Sequence, residues 1–592
     1  MKKIICSNRE FLVQSEVEVS VTLKQKTENA QVFHLEINSE LPIGNVEIVI
    51  PFEMKGVLST YAPTNAFKRN RMVMQWFAPI SSQSNFSFGT PFLSVVDRGN
   101  INFVTLALSD AVNDSEIQFY VQDFKQEGNV EFKVKLLTGR EKFTRYAVDL
   151  RIDDKKQEIS NTVKGLTEWF KGYYPNQLNA SQVCYEPLYS SWYNFHQHPN
   201  SALLEKELIL AKELGFGSLI IDDGWQYDGN GTSDYIDCGD WKISEEKFPD
   251  FNGFVDKAHA LGIKVLLWFP LPFVGFNTES YRKIKDKLLY EEGNTINAGV
   301  LDPRYEEVRE FIANSIIEIF KNYNLDGLKL DFTDSFFIKE ETPKVNENMD
   351  KPALSEAIQQ LLNDINDKML FIKKDAVIEY RQNYVGPAIT QYCNMLRVAD
   401  CAFDSITNRI AINDMRLLNY PLAVHSDMLY WGINETNENV ATQLNNILFS
   451  VPQISILLTE DAEGHIQTLK NYVSYWLKNR EILMYGDFHV SGMDSNYSMA
   501  WAENKEKRIV ATYVTGVIQC GEKPLDILNA SNDEDVIVES QNEKTATSYN
   551  CLGELIEERE IIAGINKIKL LLGAELKLDN FRTKRKMKVW KN

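Results

Sequence analysis

Asp326-Gly327-Leu328-Lys329-Leu330-Asp331-Phe332 is the stretch on which the fold turns. It reads as a buried β-strand. Side chains at i and i+2 leave a strand on one face, so Lys329 and Asp331 point the same way. A charge inside an apolar run is costly unless it is paired. Two unlike charges closing an inner strand therefore mark a site. A second strand-like segment, Arg397-Val398-Ala399-Asp400, ends on a carboxylate of the same character and reads as its partner.

Outward from this strand, apolar runs alternate with amphipathic helical stretches, the βα signature of a parallel sheet. Eight strand candidates are present: Pro187–Tyr193, Ser218–Trp225, Lys264–Pro270, Gly327–Phe332, Ala376–Arg381, Met395–Asp400, Pro421–Asp427 and Ile454–Asp461. Helical patterns at Leu203–Leu214, Phe254–Leu261, Val308–Tyr323, Leu354–Leu370, Asn408–Leu418 and Val440–Leu448 separate them, and Ile466–Leu477 follows the last. The weakest link joins strands five and six, where only Ala388–Asn394 is available. Eight βα units in roughly 300 residues is the count of a (β/α)8 barrel, with a doubly wound open sheet as the rival. On either side the period changes to two, as in Glu16–Leu23, Val130–Leu136 and Arg508–Val514. The expected organisation is multidomain α/β: an N-terminal β-sandwich over 1–170, a central TIM barrel over 171–484 and a C-terminal antiparallel β-sandwich over 485–592.

Composition narrows the partners. The chain has 592 residues, 44% hydrophobic and 25% charged, with a formal net charge of −20. Phosphate binding needs a basic face, so nucleic acid is excluded as a partner, and a neutral small ligand fits. Seven scattered cysteines, odd in number and without a CxxC pair, point to a reducing compartment. The basic start Met1-Lys2-Lys3 is interrupted by Ser7-Asn8-Arg9-Glu10 before a signal-peptide core can develop. No apolar window is long enough to span a bilayer. A cytoplasmic protein with no membrane contact is expected, and a homo-oligomer is allowed. The histidines form no HExxH pattern, and Gly215-Phe216-Gly217 precedes its strand and lacks a third glycine. Neither a metal nor a cofactor is expected. The basic tail Arg582-Thr583-Lys584-Arg585-Lys586 reads as a solvated end, and Trp476 and Trp590 as packing residues.

Catalytic groups of a barrel sit at the C-terminal ends of its strands. Here those ends read Ser191-Trp192-Tyr193, Asp222-Asp223-Gly224-Trp225-Gln226, Trp268-Phe269-Pro270, Lys329-Leu330-Asp331, Glu379-Tyr380-Arg381-Gln382, Arg397 to Asp400, His425-Ser426-Asp427 and Thr459-Glu460-Asp461. Carboxylates, cationic donors and tryptophans at one rim are what a sugar requires. Carboxylates and a lysine or arginine grip hydroxyls, and an aromatic ring takes the apolar face. Glycosidic cleavage needs two carboxyl groups, one at the anomeric carbon and one protonating the leaving oxygen.

This set resembles clan D glycoside hydrolases, especially the family 36 α-galactosidases of the melibiase group. The matching pieces also include Gly239-Asp240-Trp241, Lys247-Phe248-Pro249, Gly262-Ile263-Lys264 and, at the exit, Arg480-Glu481 with Gly486-Asp487-Phe488-His489. The resemblance runs from about residue 185 to 490. It implies a retaining double displacement on an oligosaccharide or glycoside, with Asp331 at the nucleophile position and Asp400 at the acid/base. It puts Lys329, Asp222 and Asp223 on sugar hydroxyls and Arg397 in a substrate-contacting place. Trp225 and Trp268 would line the pocket, Trp241 would belong to a rim loop, and Trp192 joins the binding set. The strand-five loop departs from the pattern. Arg381 and Gln382 stand where the family often carries a cysteine or glycine-rich turn that reads the 2-hydroxyl.

Several alternatives stay open on the residues. The sugar could be α-N-acetylgalactosamine, α-glucose or an acidic sugar, or the reaction could be transfer. The barrel could bind carbohydrate without turnover. Asp404 competes with Asp400 as the acid. Lys329 could form a Schiff base, Asp331 could simply pair with Lys329, and Asp222-Asp223 could cap a helix. His425-Ser426-Asp427 could be read as a triad. The mechanism also calls for an Asp400 pKa raised by a closed pocket, with Lys329 keeping Asp331 ionised.

Overall fold

The computed structural model describes residues 1–53, 56–63, 78–122, 129–178, 180–226, 234–418 and 420–580. The basic tail and Trp590 lie outside the described residues.

Alternation decides the N-terminal part. Asn129–Leu136 buries every second residue, and its inward side chains meet those of Val46–Glu53, with Val134 opposite Ile48 and Phe132 opposite Ile50. A seven-stranded and a six-stranded antiparallel sheet enclose Phe11, Phe33, Leu35, Phe119, Phe132 and Leu150. Two such faces packed on one another form a sandwich.

In the middle of the chain eight parallel strands follow one another: β1 (Leu188–Ser190), β2 (Ser218–Ile221), β3 (Lys264–Pro270), β4 (Gly327–Asp331), β5 (Val377–Arg381), β6 (Met395–Arg397), β7 (Ala423–His425) and β8 (Gln453–Ile454). Their helices are α1 (Ser201–Glu213), α2 (Phe251–Ala260), α3 (Glu306–Asn322), α4 (Leu354–Ile372), α5 (Pro387–Thr390), α6 (Ser405–Leu418), α7 (Asn437–Asn446) and α8 (Glu463–Tyr485). β1 pairs with both β2 and β8. The ring closes through single bridges, His425 to Val451 and Leu429 to Ile454. An open doubly wound sheet has two free edges, so that rival is excluded. Register then sets the neighbours at the rim: Lys329 lies beside Trp268 and Glu379, and Arg397 beside Arg381 and His425.

The strands are shorter than their apolar runs. β1 stops at Ser190 and Trp192–Phe195 coils into one helical turn, while β2 stops at Ile221. Asp222 and Asp223 therefore sit just past the strand, where the chain turns. The weak link between β5 and β6 is indeed minimal, the single turn α5. A small antiparallel sheet of Phe273–Gly275, Leu288–Glu292 and Ala298–Leu301 is inserted between β3 and α3, which the sequence did not announce.

After α8 come a seven-stranded and a three-stranded sheet. They are mainly antiparallel, but Arg508–Thr512 runs parallel to Leu525–Asn529 and Val517–Cys520 parallel to Asp535–Ser540. The flanking parts dock on the barrel through specific polar contacts. The Tyr61 hydroxyl donates to the Asp414 carbonyl at 2.7 Å, and the Gly89 amide to the Asn383 carbonyl at 3.1 Å. Gly386 lies so close that a Cβ there would stand 2.8 Å from the Gly89 carbonyl oxygen. On the other side Asn446 donates to the Ala530 carbonyl at 3.1 Å. Among the described residues no helix is long and apolar enough to cross a membrane.

Candidate active site

Asp331 ends β4 and is almost wholly buried. Its Oδ1 accepts from Arg381 Nε at 2.6 Å, from the Phe332 amide at 2.8 Å and from the Tyr384 hydroxyl at 3.3 Å. Oδ2 accepts from Trp268 Nε1 at 3.2 Å. Burial alone would push this carboxyl up. Arg381, then Lys329 and Arg397, and the Trp268 hydrogen bond outweigh it and hold the group well below the usual carboxylate range. The direct ion partner of Asp331 is thus Arg381, and Lys329 acts on it from farther away. Phe332 adopts left-handed backbone at φ 61°, which aims its amide at the carboxylate. That conformation costs a bulky L-residue about 1–2 kcal/mol.

Lys329 donates instead to Asp222 Oδ2 at 2.6 Å, both groups being buried. This pair corrects two readings: the lysine is neither a free amine for a Schiff base nor the salt-bridge partner of Asp331. Asp222 in turn receives the Asp223 amide on Oδ1 at 2.9 Å. Gln197 donates to Asp223 at 2.7 Å and Gln226 at 3.3 Å. Burial raises the Asp223 carboxyl to about 6, against the lowering effect of Gln197. The turn that carries both aspartates needs its glycine. Gly224 has φ 100°, and a Cβ there would lie 2.5 Å from the Gln197 backbone. Lys247 fastens the same turn, donating to the Gln197 carbonyl at 2.8 Å and the Gly224 carbonyl at 2.7 Å.

Arg397, at the end of β6, is buried and gathers carboxylates. It pairs with Asp400 at 2.8 Å through Nη1, which also donates to Asp427 Oδ1. Its Nε lies 3.6 Å from Glu379 Oε1. The Asp400 side chain is 57% exposed. What burial it has pushes its carboxyl up, but Arg397, Lys329 and Arg381 prevail, so the group lies below its ordinary value. The expectation of a raised Asp400 is therefore corrected for the open site: an arginine touches it and water still reaches it. Burial raises Glu379 to about 7 and Asp427 to about 6. Asp427 Oδ2 accepts from the Tyr193 hydroxyl at 2.8 Å and from the Cys401 amide at 2.7 Å.

The rest of the expected set divides. Trp268 touches Asp331 and stacks on Tyr235 at 6.0 Å. Trp192 is half-buried at the rim with its ring edge-on to His196. Trp225 has no exposed surface. Its indole donates to the Trp268 carbonyl at 2.8 Å and stacks on the buried Trp241, which also packs on Phe269, so Trp225 braces the Trp268 backbone and has no surface to offer a ligand. Gln382 is likewise fully buried, with its amide spent on the Pro63 carbonyl and the Ala399 amide. Asp404 caps α6, accepting from the Thr407 amide at 2.9 Å. His425 faces the Cys184 carbonyl and Gln453, while Asp427 faces Arg397, so no triad forms. No cluster of His, Cys, Asp or Glu able to hold a metal occurs among the described residues.

Tyr384 and Asp334 were not singled out by sequence, and Glu379 and Asp427 only as members of strand ends, Asp427 also in the triad that does not form. Tyr384 also reaches Asp334 Oδ1 at 3.0 Å, which ties the carboxylate after β4 into the same network. Each lies in or next to a segment already read as a strand end. The missing signal was which carboxylate each cation would choose.

A family model described as Melibiase matches residues 161–486 of the chain. Alpha-galactosidase Mel36A of Lactobacillus acidophilus is 25% identical over 261 residues, covering 41% of this chain. The matched stretch spans only about a third of that relative, 35% of its length. The solved alpha-galactosidase of Lactobacillus brevis superposes with a TM-score of 0.65 at 14% identity, over 97% of this chain and 86% of its own. A variant of the GH36 alpha-galactosidase AgaA from Geobacillus stearothermophilus, solved in complex with raffinose, gives a TM-score of 0.63 at 15% identity over 97% and 83%. At such identities the two structures speak for the fold.

Proposed function

The chain belongs to the melibiase family, and from that premise we propose that it hydrolyses terminal non-reducing α-galactosides with retention, through a covalent glycosyl-Asp331 intermediate. One observation carries the reading. Asp331 is an ionised, anchored carboxylate at the barrel rim, within electrostatic reach of a half-exposed second carboxylate, Asp400.

Oδ1 of Asp331 is held by Arg381, the Phe332 amide and Tyr384, whereas Oδ2 has only the longer Trp268 bond. Oδ2 is therefore the attacking oxygen. It bonds to the anomeric carbon as the glycosidic C–O bond breaks, and Asp400 gives its proton to the leaving oxygen. In the second step Asp400 takes a proton from water, the water oxygen bonds to the anomeric carbon, and the ester bond returns its electrons to Asp331. The pKa of Asp400 can cycle through this sequence. A bound sugar removes water from its exposed side chain and raises it. Esterification then deletes the Asp331 charge, which had been raising it, and favours the base form. Asp404, already spent as a helix cap, is the weaker candidate for this role.

Lys329, Asp222 and Asp223 supply a donor and acceptors for glycone hydroxyls, and Trp268 a wall. Raffinose bound to the AgaA variant suits such a pocket. A second reading keeps the chemistry and changes the sugar to an α-N-acetylgalactosaminide, an α-glucoside or an acidic sugar, or changes hydrolysis to transfer. It is favoured by Arg381, a guanidinium at the nucleophile on the strand that departs from the family pattern. A panel of nitrophenyl α-glycosides separates these. A slow fluorinated analogue of the best glycoside should then leave its glycosyl mass on the peptide containing Asp331. Tight binding with no turnover across the panel would mean a sugar-binding protein, and a label on another residue would displace Asp331.

A further inference from the structure

The rim of the barrel is divided into two arcs. β2, β4 and β5 end in the charged set Asp222, Asp223, Lys329, Asp331 and Arg381, and β3 carries Trp268. The loops after β6, β7 and β1 instead present three aromatic rings. Phe403, three residues beyond Asp400, stands edge-on to Tyr430 with centroids 4.7 Å apart at 89°, and Tyr430 stands 6.5 Å from Tyr193. The row is fastened to the catalytic region by one buried carboxylate. Asp427 Oδ2 accepts from both the Tyr193 hydroxyl and the amide of Cys401, the residue between Asp400 and the Phe403 turn.

Phe403 is conspicuous in two independent ways. It is 60% exposed, although an apolar ring of that size gains roughly 2–3 kcal/mol by burial. It also holds left-handed backbone at φ 63°, a conformation that penalises a residue with a bulky side chain. Strain kept in a loop at a functional rim is an observation from which function can be argued. Three residues of chain reach at most about 11 Å, so the Phe403 backbone lies within that span of Asp400. The leaving oxygen departs towards the acid, and whatever is attached to it must lie on the acid's side of the rim.

We propose that Phe403, supported by Tyr430, is the platform of a leaving-group subsite, taking the apolar face of the sugar ring next to the scissile bond. The proposal rests on the catalytic reading of Asp331 and Asp400. The platform acts on the leaving group alone, so its effect vanishes when the leaving group is a single atom.

The test compares a glycosyl fluoride with a disaccharide carrying the same α-linked sugar, in the full-length protein. Phe403→Ala should lower kcat/KM on the disaccharide about tenfold and leave the fluoride within about twofold, an effect of the size of one aromatic contact. Phe403→Tyr should restore the disaccharide rate. Tyr430→Leu, which removes the support without touching the strained turn, should reproduce the split in weaker form. Equal losses on both substrates, or no loss on either, would overturn the platform. So would an altered oligomeric state with an unchanged ratio, which would assign the patch to a second copy of the chain. If the unmodified protein turned over no glycosyl fluoride at all, the catalytic reading would fail first and the platform with it.

Discussion

At the scale of single residues the site is governed by which charge each cation selects. Removing Asp331 as Asp331→Asn should cut turnover by about 10⁴-fold or more with the melting curve unchanged, the scale seen when a nucleophile is lost. Retention of substantial activity would exclude it. Asp400→Ala should cost about 10²–10⁴-fold on a natural disaccharide but much less on a nitrophenyl glycoside, whose leaving group needs no proton. Equal losses would hand the role to another acid. Arg381 is the strongest influence holding the Asp331 carboxyl down. Arg381→Gln therefore lets that pKa rise towards its ordinary value, and the acid limb of kcat/KM moves to higher pH. A limb that stays in place would show that the guanidinium does not tune the nucleophile. Reading strand ends and i, i+2 spacing, which are local properties, was enough to put Asp331 at the end of β4 and Asp400 just beyond β6, on the two sides of β5. It could not pair Lys329 with Asp222, since those residues are brought together only when β2 and β4 assemble on either side of β3.

Elements explain where the reading of the chain was sharp and where it blurred. Periodicity located seven of the strands and the long helices, whose apolar faces repeat over several turns, but of the expected eighth strand, Ile454–Asp461, only Ile454 is in β8 and the rest is loop and turn. Lengths were overestimated at β1 and β2 because Trp192, Tyr193 and Trp225 are apolar but belong to turns packed on the rim. The inserted sheet after β3 was not read from the sequence, although its strands of three to five residues are as long as several of the barrel's own. Two expectations belong here. Gly224→Ala forces a Cβ onto the Gln197 backbone in a left-handed turn and should destabilise by about 2–4 kcal/mol, read as a fall in melting temperature. Glu379, buried in β5, has a folded pKa raised from 4.5 to about 7. The native state thus holds this proton more tightly than the unfolded chain does, and stability is lost as pH rises through that window. Glu379→Gln should be no more stable than the parent at pH 4.5 and relatively more stable at pH 8.5, by an amount on the order of 2 kcal/mol. A constant difference in melting temperature across pH would contradict the assignment.

For the whole molecule the relevant fact is that the barrel is not self-contained. Tyr61 reaches Asp414, Gly89 holds Asn383, and Gln382 is anchored on Pro63, so the N-terminal sandwich clasps the loop that follows β5. A chain lacking residues 1–155 should melt at lower temperature and lose about tenfold or more in kcat/KM, since small misplacements near a reacting group are expensive. Unchanged kinetics would show that the loop keeps its shape alone. That clasp bears on how this barrel could acquire a new sugar preference. Arg381, on which the second reading of the sugar rests, sits on a segment whose shape is set jointly by the barrel and the N-terminal sandwich. Gly386 leaves no room for a side chain against Gly89. Moving 381–386 into another barrel would transfer the arginine and leave its footing behind, so inheritance of specificity here requires joint change on both sides of a domain boundary.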